Sequence, residues 1–141
     1  MTQQQAAASP PMPVPDALTQ FFWDGVGQHK LMILQCQNCG HYIHYPRPVC
    51  RFCLSTDLSP KQVSGKATIF SWTETWQAFH PFWIDKIPYI LANVELVEQE
   101  GLKMMSNIID CPEDQLKAGL ALEVVFKEVA PGLTLPLFRP A

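Results

Sequence analysis

Charge is scarce in this chain. Only 16% of its 141 residues are Asp, Glu, Lys or Arg, against 48% apolar, the kind of surface that a partner covers. A basic excess is missing too: 10 Lys and Arg face 13 acidic residues, for a net charge of −3. Proteins held to nucleic acid by phosphate contacts normally show the opposite balance. No run of 18 apolar residues occurs, so no membrane-spanning helix is expected. The first fifteen residues lack the basic stretch and apolar core of a secretory signal, and a reducing, cytoplasmic location is therefore expected. There is no internal repeat, nucleophile elbow, phosphate-binding glycine loop or paired-histidine metal helix. No residue is assigned a catalytic role.

The length fits one domain, or a small module joined to a small domain. Residues 1–15, MTQQQAAASPPMPVP, hold four prolines and no periodic apolar face, and read as disordered. Residues 16–29 read as a helix, with Leu18, Phe21, Phe22, Gly25 and Val26 on one face. Asp16 is placed to cap its first turn, and Gly25 and Gly27 to end it. Trp23 lies off that stripe. The helix therefore either packs only on its own domain or also docks on another subunit through a second face.

Residues 30–58 are short alternating runs with four cysteines and little apolar bulk. From residue 59 onward the pattern is β-rich, with candidate strands at Val63–Thr75, Tyr89–Val97, Leu102–Ile109, Leu122–Val129 and Leu133–Leu137. A short helical turn at 111–119, ending at Gly119, falls between the third and fourth of these. Five strands with that insertion outline an OB-type barrel, so the chain as a whole is expected to be mainly β. The end, Leu133–Ala141, is apolar and proline-rich. It reads as a C-terminal arm against a partner, or as the strand that finishes the barrel.

Cys36-Gln-Asn-Cys39-Gly40 and Cys50-Arg-Phe-Cys53 are two C-x2-C pairs ten residues apart. Each pair can form a knuckle that turns two sulfurs toward one point, and Gly40 permits the left-handed turn that follows. Two knuckles on neighbouring hairpins complete four thiolates, the set preferred by structural zinc. Iron fits the same set. So short and apolar-poor a segment should fold only as it binds the ion. Two disulfides or a redox dithiol are the competing readings, and the expected reducing compartment argues against disulfides. Four protein ligands leave no position for an activated water, so the site is structural. His41 and His44, between the pairs, are expected beside the ligands or on a strand surface. Leu54 stands after the second knuckle, where glycine is common. Cys111, unpaired, reads as a small buried hydrophobe.

Residues 77–88 form a long insert between the first two barrel strands, carrying Phe79, His80, Phe82 and Trp83, with Asp85 nearby. The spacing of His80 and Asp85 does not by itself define an acid–base pair. An aromatic loop of this kind folds onto the barrel or presses on a partner or ligand. Stacking on nucleic acid is opposed by charge: residues 58–129 hold six lysines and ten acidic residues.

Taken in order, Phe22-Trp23, the two cysteine pairs, Tyr45-Pro46-Arg47, Ser64-Gly65-Lys66-Ala67-Thr68, Ser71-Trp72-Thr73, Pro88-Tyr89, the strand at 92–96, Ser106-Asn107 and Gly119 with Glu123 to Phe126 resemble the acyl-CoA-associated DUF-thirty-five (DUF35) family over roughly residues 16–138. That resemblance implies an N-terminal helix, a rubredoxin-like zinc ribbon and a C-terminal OB fold. It also implies a companion of thiolase-superfamily enzymes that cleave or transfer acyl-CoA thioesters by thiolysis, acyl transfer or retro-aldol cleavage, steroid side chains included. Catalytic residues would then belong to a thiolase-like large subunit in a hetero-oligomer. Phe21, Phe22, Trp23, Phe79, His80, Phe82 and Trp83 are the expected contacts with partner or acyl-CoA. The alternatives are a free-standing acyl-CoA or CoA-binding module, a single-stranded nucleic-acid binder and a rubredoxin-type electron carrier.

Overall fold

Apolar side chains alternate along residues 31–36, and both faces of that segment are used. In the computed structural model, which describes residues 8–141, Leu31 and Ile33 are buried in one core, while Leu34 and Cys36 are buried in another. Strand β1 (Met32–Cys36) is thus the seam between two layers. It is the central strand of a three-stranded antiparallel sheet, between β2 (Tyr42–Ile43) and β3 (Leu58–Gln62). The β1–β3 register includes Leu34 opposite Pro60. Proline can sit in β3 because β3 is an edge strand with one unpaired side. This sheet extends past residue 58, where the cysteine-rich composition ends.

The larger unit is a closed barrel of β4 (Lys66–Thr75), β5 (Tyr89–Leu96), β6 (Lys103–Ile108), β7 (Ala121–Ala130) and β8 (Leu133–Pro140), in the spatial order β4-β5-β6-β8-β7. Pairing of β4 with β7, Lys66 opposite Glu123, closes it. A 3₁₀ turn at Glu113–Gln115 lies between β6 and β7. Together with α1, this is the mainly β architecture with a five-stranded OB barrel expected from the sequence. Its core is built by Phe138, Ile69, Leu122, Val94 and Leu96, each at most 2% exposed.

The end of the chain is a barrel strand, not an arm. β8 pairs along β7 from Leu133 to Pro140 and meets β6 in parallel at Ile108 and Phe138. Pro136 brings no N–H to a ladder; beside it the Ser106 hydroxyl donates to the Pro136 carbonyl at 2.7 Å. Side-chain bonding thus takes over where β6 and β8 stop pairing through the backbone.

Helix α1 (Gln20–Gly27) follows a turn whose N–H groups are met as expected. The Asp16 carboxylate accepts from the backbone of Leu18 and Thr19 and from the Thr19 hydroxyl, at 2.9–3.0 Å. The Thr19 bonds hold its carboxyl below the usual range. Gly25 does not end the helix. It lies inside it because a Cβ there would stand 2.5 Å from Met32 Cγ and 2.9 Å from the Lys30 carbonyl. Residues 8–16 have no regular structure, and Met12, Pro13 and Pro15 face Trp23 and Leu133 across a shallow depression. Residues 1–7 of the stretch read as disordered lie outside the described residues.

Candidate metal centre and apolar groove

The two knuckles use one backbone device twice. Gly40 N–H donates to the Cys36 carbonyl and Leu54 N–H to the Cys50 carbonyl, both at 2.9 Å. Cys36 N–H and Cys50 N–H donate to the carbonyls of His41 and Ser55, at 2.8 Å each. The residue after each pair is left-handed: Gly40 at φ 78° and Leu54 at φ 63°. The first knuckle joins β1 to β2 as a hairpin. The second differs from expectation, standing in the long connection between β2 and β3 without strands of its own. Pro46 and Pro48 in that connection cannot donate to a ladder.

The four Sγ atoms lie within 4.8 Å of one another. Cys36 to Cys53 and Cys39 to Cys50 are each 3.6 Å apart. A tetrahedral zinc ion with Zn–S bonds of about 2.3 Å has sulfurs about 3.8 Å apart. The donor set therefore fits such an ion. Cys36 and Cys50 are buried, Cys39 and Cys53 only partly. The Asn38 amide, donating to Cys53 Sγ at 3.4 Å, is the largest influence holding that thiol down to about 6. The His41 backbone N–H pulls the Cys39 thiol down, but burial and the three neighbouring sulfurs push it up to about 12. Four sulfurs this close cannot all carry negative charge unless a cation is among them.

His41 stands beside the cluster, its Nδ1 3.2 Å from Cys39 Sγ. His44 turns away, with its ring against Phe22 and Tyr45, and burial pushes its pKa down to about 4. Cys111 packs partly buried against the barrel core, and burial raises its thiol.

A second feature was not legible in the sequence. Where β6 and β8 separate, a cavity of about 280 Å³ opens between Phe22 and Trp23 of α1, His44 and Tyr45 of the ribbon, and Met105 and Pro136 of the barrel. A larger cavity, about 580 Å³, adjoins it at Trp83 and Tyr89, with Lys86, Lys127 and Glu128 among its lining. Asn107, Leu135 and Leu137 wall both, making one groove across the barrel.

The expected contact residues divide around this groove. Phe22 and Trp23, edge to face at 5.3 Å, line one end, and Trp83 lines the other. Phe21 packs instead with Leu34, Cys36 and Leu58 in the ribbon core. Phe82 is covered by the Lys86 ammonium, 3.9 Å from its centroid, and Phe79 stands 78% exposed. His80 Nδ1 accepts from Phe82 N–H at 3.1 Å, while Asp85 pairs with Lys86 at 3.0 Å, so the two are not paired with each other. Among the described residues no helix is long and apolar enough to cross a membrane.

A four-thiolate knuckle pair joined through a shared strand to an OB barrel defines a class, the zinc-ribbon/OB-fold proteins. Residues 23–59 match the family described as "ChsH2, rubredoxin-like zinc ribbon domain", and residues 60–127 match "ChsH2, C-terminal OB-fold domain". A DUF35 domain-containing scaffold protein of Methanothermobacter thermautotrophicus is 33% identical over 109 residues, covering 76% of this chain and 80% of that protein. The chain belongs to the DUF35 family. It is also similar, at 31% identity over 99% of its length, to a Thermomonospora curvata protein named "Probable enoyl-CoA hydratase alpha subunit", and spans 43% of that longer protein. Among solved structures, the Ltp2-ChsH2(DUF35) aldolase contains a chain that superposes with a TM-score of 0.81 at 29% identity, covering 92% of this chain and 98% of that one.

Proposed function

We propose that this chain is an accessory subunit of a thiolase-superfamily enzyme acting on acyl-CoA thioesters, with catalytic residues on the larger partner. The observation that carries this reading is the superposition, over 92% of the chain, on a chain of an aldolase complex. The exposed surface supports it: Trp76, Phe79 and Ile84, in and beside the 77–88 insert, are 68%, 78% and 64% exposed. Large aromatics left in water on a charge-poor protein are what a protein partner covers. In this reading Cys36, Cys39, Cys50 and Cys53 hold a structural Zn²⁺ that ties the two knuckles together, and the barrel with α1 supplies the contact surface. Steroid or other lipid side-chain degradation is the corresponding setting.

The test is co-expression with a thiolase-like protein followed by sizing and assay with acyl-CoA substrates. A stable mixed oligomer that is active only as the complex is expected. Steady turnover by this chain alone, or a monomer indifferent to every thiolase-like protein offered, would overturn the proposal. A second reading, a free-standing acyl-CoA-binding module, is favoured by one observation: the groove is apolar at the Phe22–Trp23 end and has two lysines, Lys86 and Lys127, against one carboxylate, Glu128, at the other. Titration with CoA thioesters without a partner separates the two readings, because only the second requires saturable binding by the isolated chain.

A further inference from the structure

The four sulfurs are not equivalent. Cys36 and Cys50 are 1% and 0% exposed, whereas Cys39 and Cys53 face outward. A bound ion must leave by the outward side, and each outward sulfur has a side-chain donor: Asn38 Nδ2 for Cys53 and His41 Nδ1 for Cys39. A metal-bound thiolate can only accept, so Nδ1 of His41 must carry the proton. The imidazole is also held in place. It stacks on Phe52 with centroids 4.0 Å apart and planes 15° from parallel. Phe52 belongs to the second knuckle, where its own N–H donates to Cys50 Sγ at 3.4 Å. The Arg51 guanidinium lies over the same ring, 4.7 Å from its centroid.

We infer that His41 and Phe52 form a latch between the knuckles, in which Phe52 orients the His41 ring and His41 holds the outward Cys39 thiolate on the ion. The inference rests on the reading that the cluster holds zinc. His41 follows the first knuckle and Phe52 lies within the second, so the stack spans the gap that must open before the ion is released. His41 and Phe52 are positioning residues, and the ion is still held by the four sulfurs. Donors of this kind stabilise negative charge on ligand sulfur and fix its direction, and their loss typically costs about 10–100-fold in metal affinity.

The experiment uses the zinc-loaded full chain, His41→Phe and Phe52→Leu. His41→Phe keeps the stack and removes the N–H; Phe52→Leu keeps the N–H and frees the ring. Zinc transfer to a chromophoric chelator is timed for each, and cobalt-substituted samples are compared by their thiolate-to-metal charge-transfer band. His41→Phe is expected to release zinc roughly tenfold faster and to shift the band, with Phe52→Leu between it and the parent. A purely structural role would not move the band while circular dichroism stays unchanged. Release by both variants within twofold of the parent, with an unmoved band, would overturn the latch and leave the zinc assignment standing. A parent chain that takes up neither zinc nor cobalt would overturn both.

Discussion

Replacing Cys39 by serine tests the scaffolding role most directly. The ribbon's own core contains, besides cysteine, only Leu34 and Ile43 as buried aliphatic side chains, with Phe21 and Leu58 partly covered. Full burial of such a side chain is worth about 1.5–3 kcal/mol. A structural zinc site contributes about 10–16 kcal/mol at neutral pH. The ion therefore dominates this half of the molecule. Serine keeps its proton and makes a poor ligand, so Cys39→Ser should forfeit about a quarter of the binding free energy, roughly 2.5–4 kcal/mol, or about two to three decades of affinity. The barrel should outlast the ribbon, because its core includes none of the four ligand cysteines, even though Leu31 and Ile33 reach into it from the ribbon sheet. Trypsin offers a local assay: Arg51 lies within the second knuckle, whereas Arg47 and Arg139 each precede a proline and are not cleaved. The variant should lose metal and be cut after Arg51, while a fragment containing β4–β8 survives. Full zinc stoichiometry with resistance at Arg51 would refute the reasoning.

Leu54 is 76% exposed and left-handed at φ 63°, so Leu54→Gly should relieve strain of about 1–2 kcal/mol, partly offset by unfolded-chain entropy, and raise the urea midpoint of the zinc-loaded protein. Phe138→Ala empties the largest fully buried position and should cost about 3–5 kcal/mol in barrel unfolding, read by urea titration. Gln99 exchanges two bonds with the backbone of Tyr42, at 2.8 and 3.1 Å; Gln99→Ala should cost about 1–3 kcal/mol and split ribbon and barrel melting into separate transitions in calorimetry. His44, lowered by burial to about 4 in the folded protein from 6.5, takes up its proton more readily when unfolded. Its contribution, on the order of 3 kcal/mol, is complete above pH 6.5 and lost as pH falls toward 4. His44→Phe should flatten denaturant stability between pH 6.5 and 5 relative to the parent.

The parts of the fold that were legible in the sequence rest on local rules. Two C-x2-C pairs announce knuckles because that spacing lets a short loop turn both sulfurs to one side, and Gly40 marks the left-handed residue that follows. Period-two runs announce barrel strands. The errors arose where long-range packing overrode a local signal. Gly25 looked like a helix stop, but glycine is there because Lys30 and Met32 come too close for a Cβ. The proline-rich Leu133–Ala141 suits an arm or a barrel strand equally, and pairing along β7 from Leu133 to Pro140, with Ser106 bonded to the Pro136 carbonyl, selects the strand. Pro60 obscured β3, since its tolerance depends on an edge position that only the assembled sheet defines. His41 and Phe52 are eleven positions apart, and nothing in their spacing indicates that their rings stack.

The sequence alone determined the four-cysteine set, the mainly β architecture and the family, because metal-ligand spacing, strand periodicity and turn residues are read within a few positions of one another. Only the tertiary structure decided that β1 is shared by two cores, that α1 sends Phe21 to the ribbon and Phe22 to the barrel, and that a groove opens where β6 and β8 part. Each of these depends on which distant strands meet, and that is set by closure of the barrel rather than by any local preference of the chain.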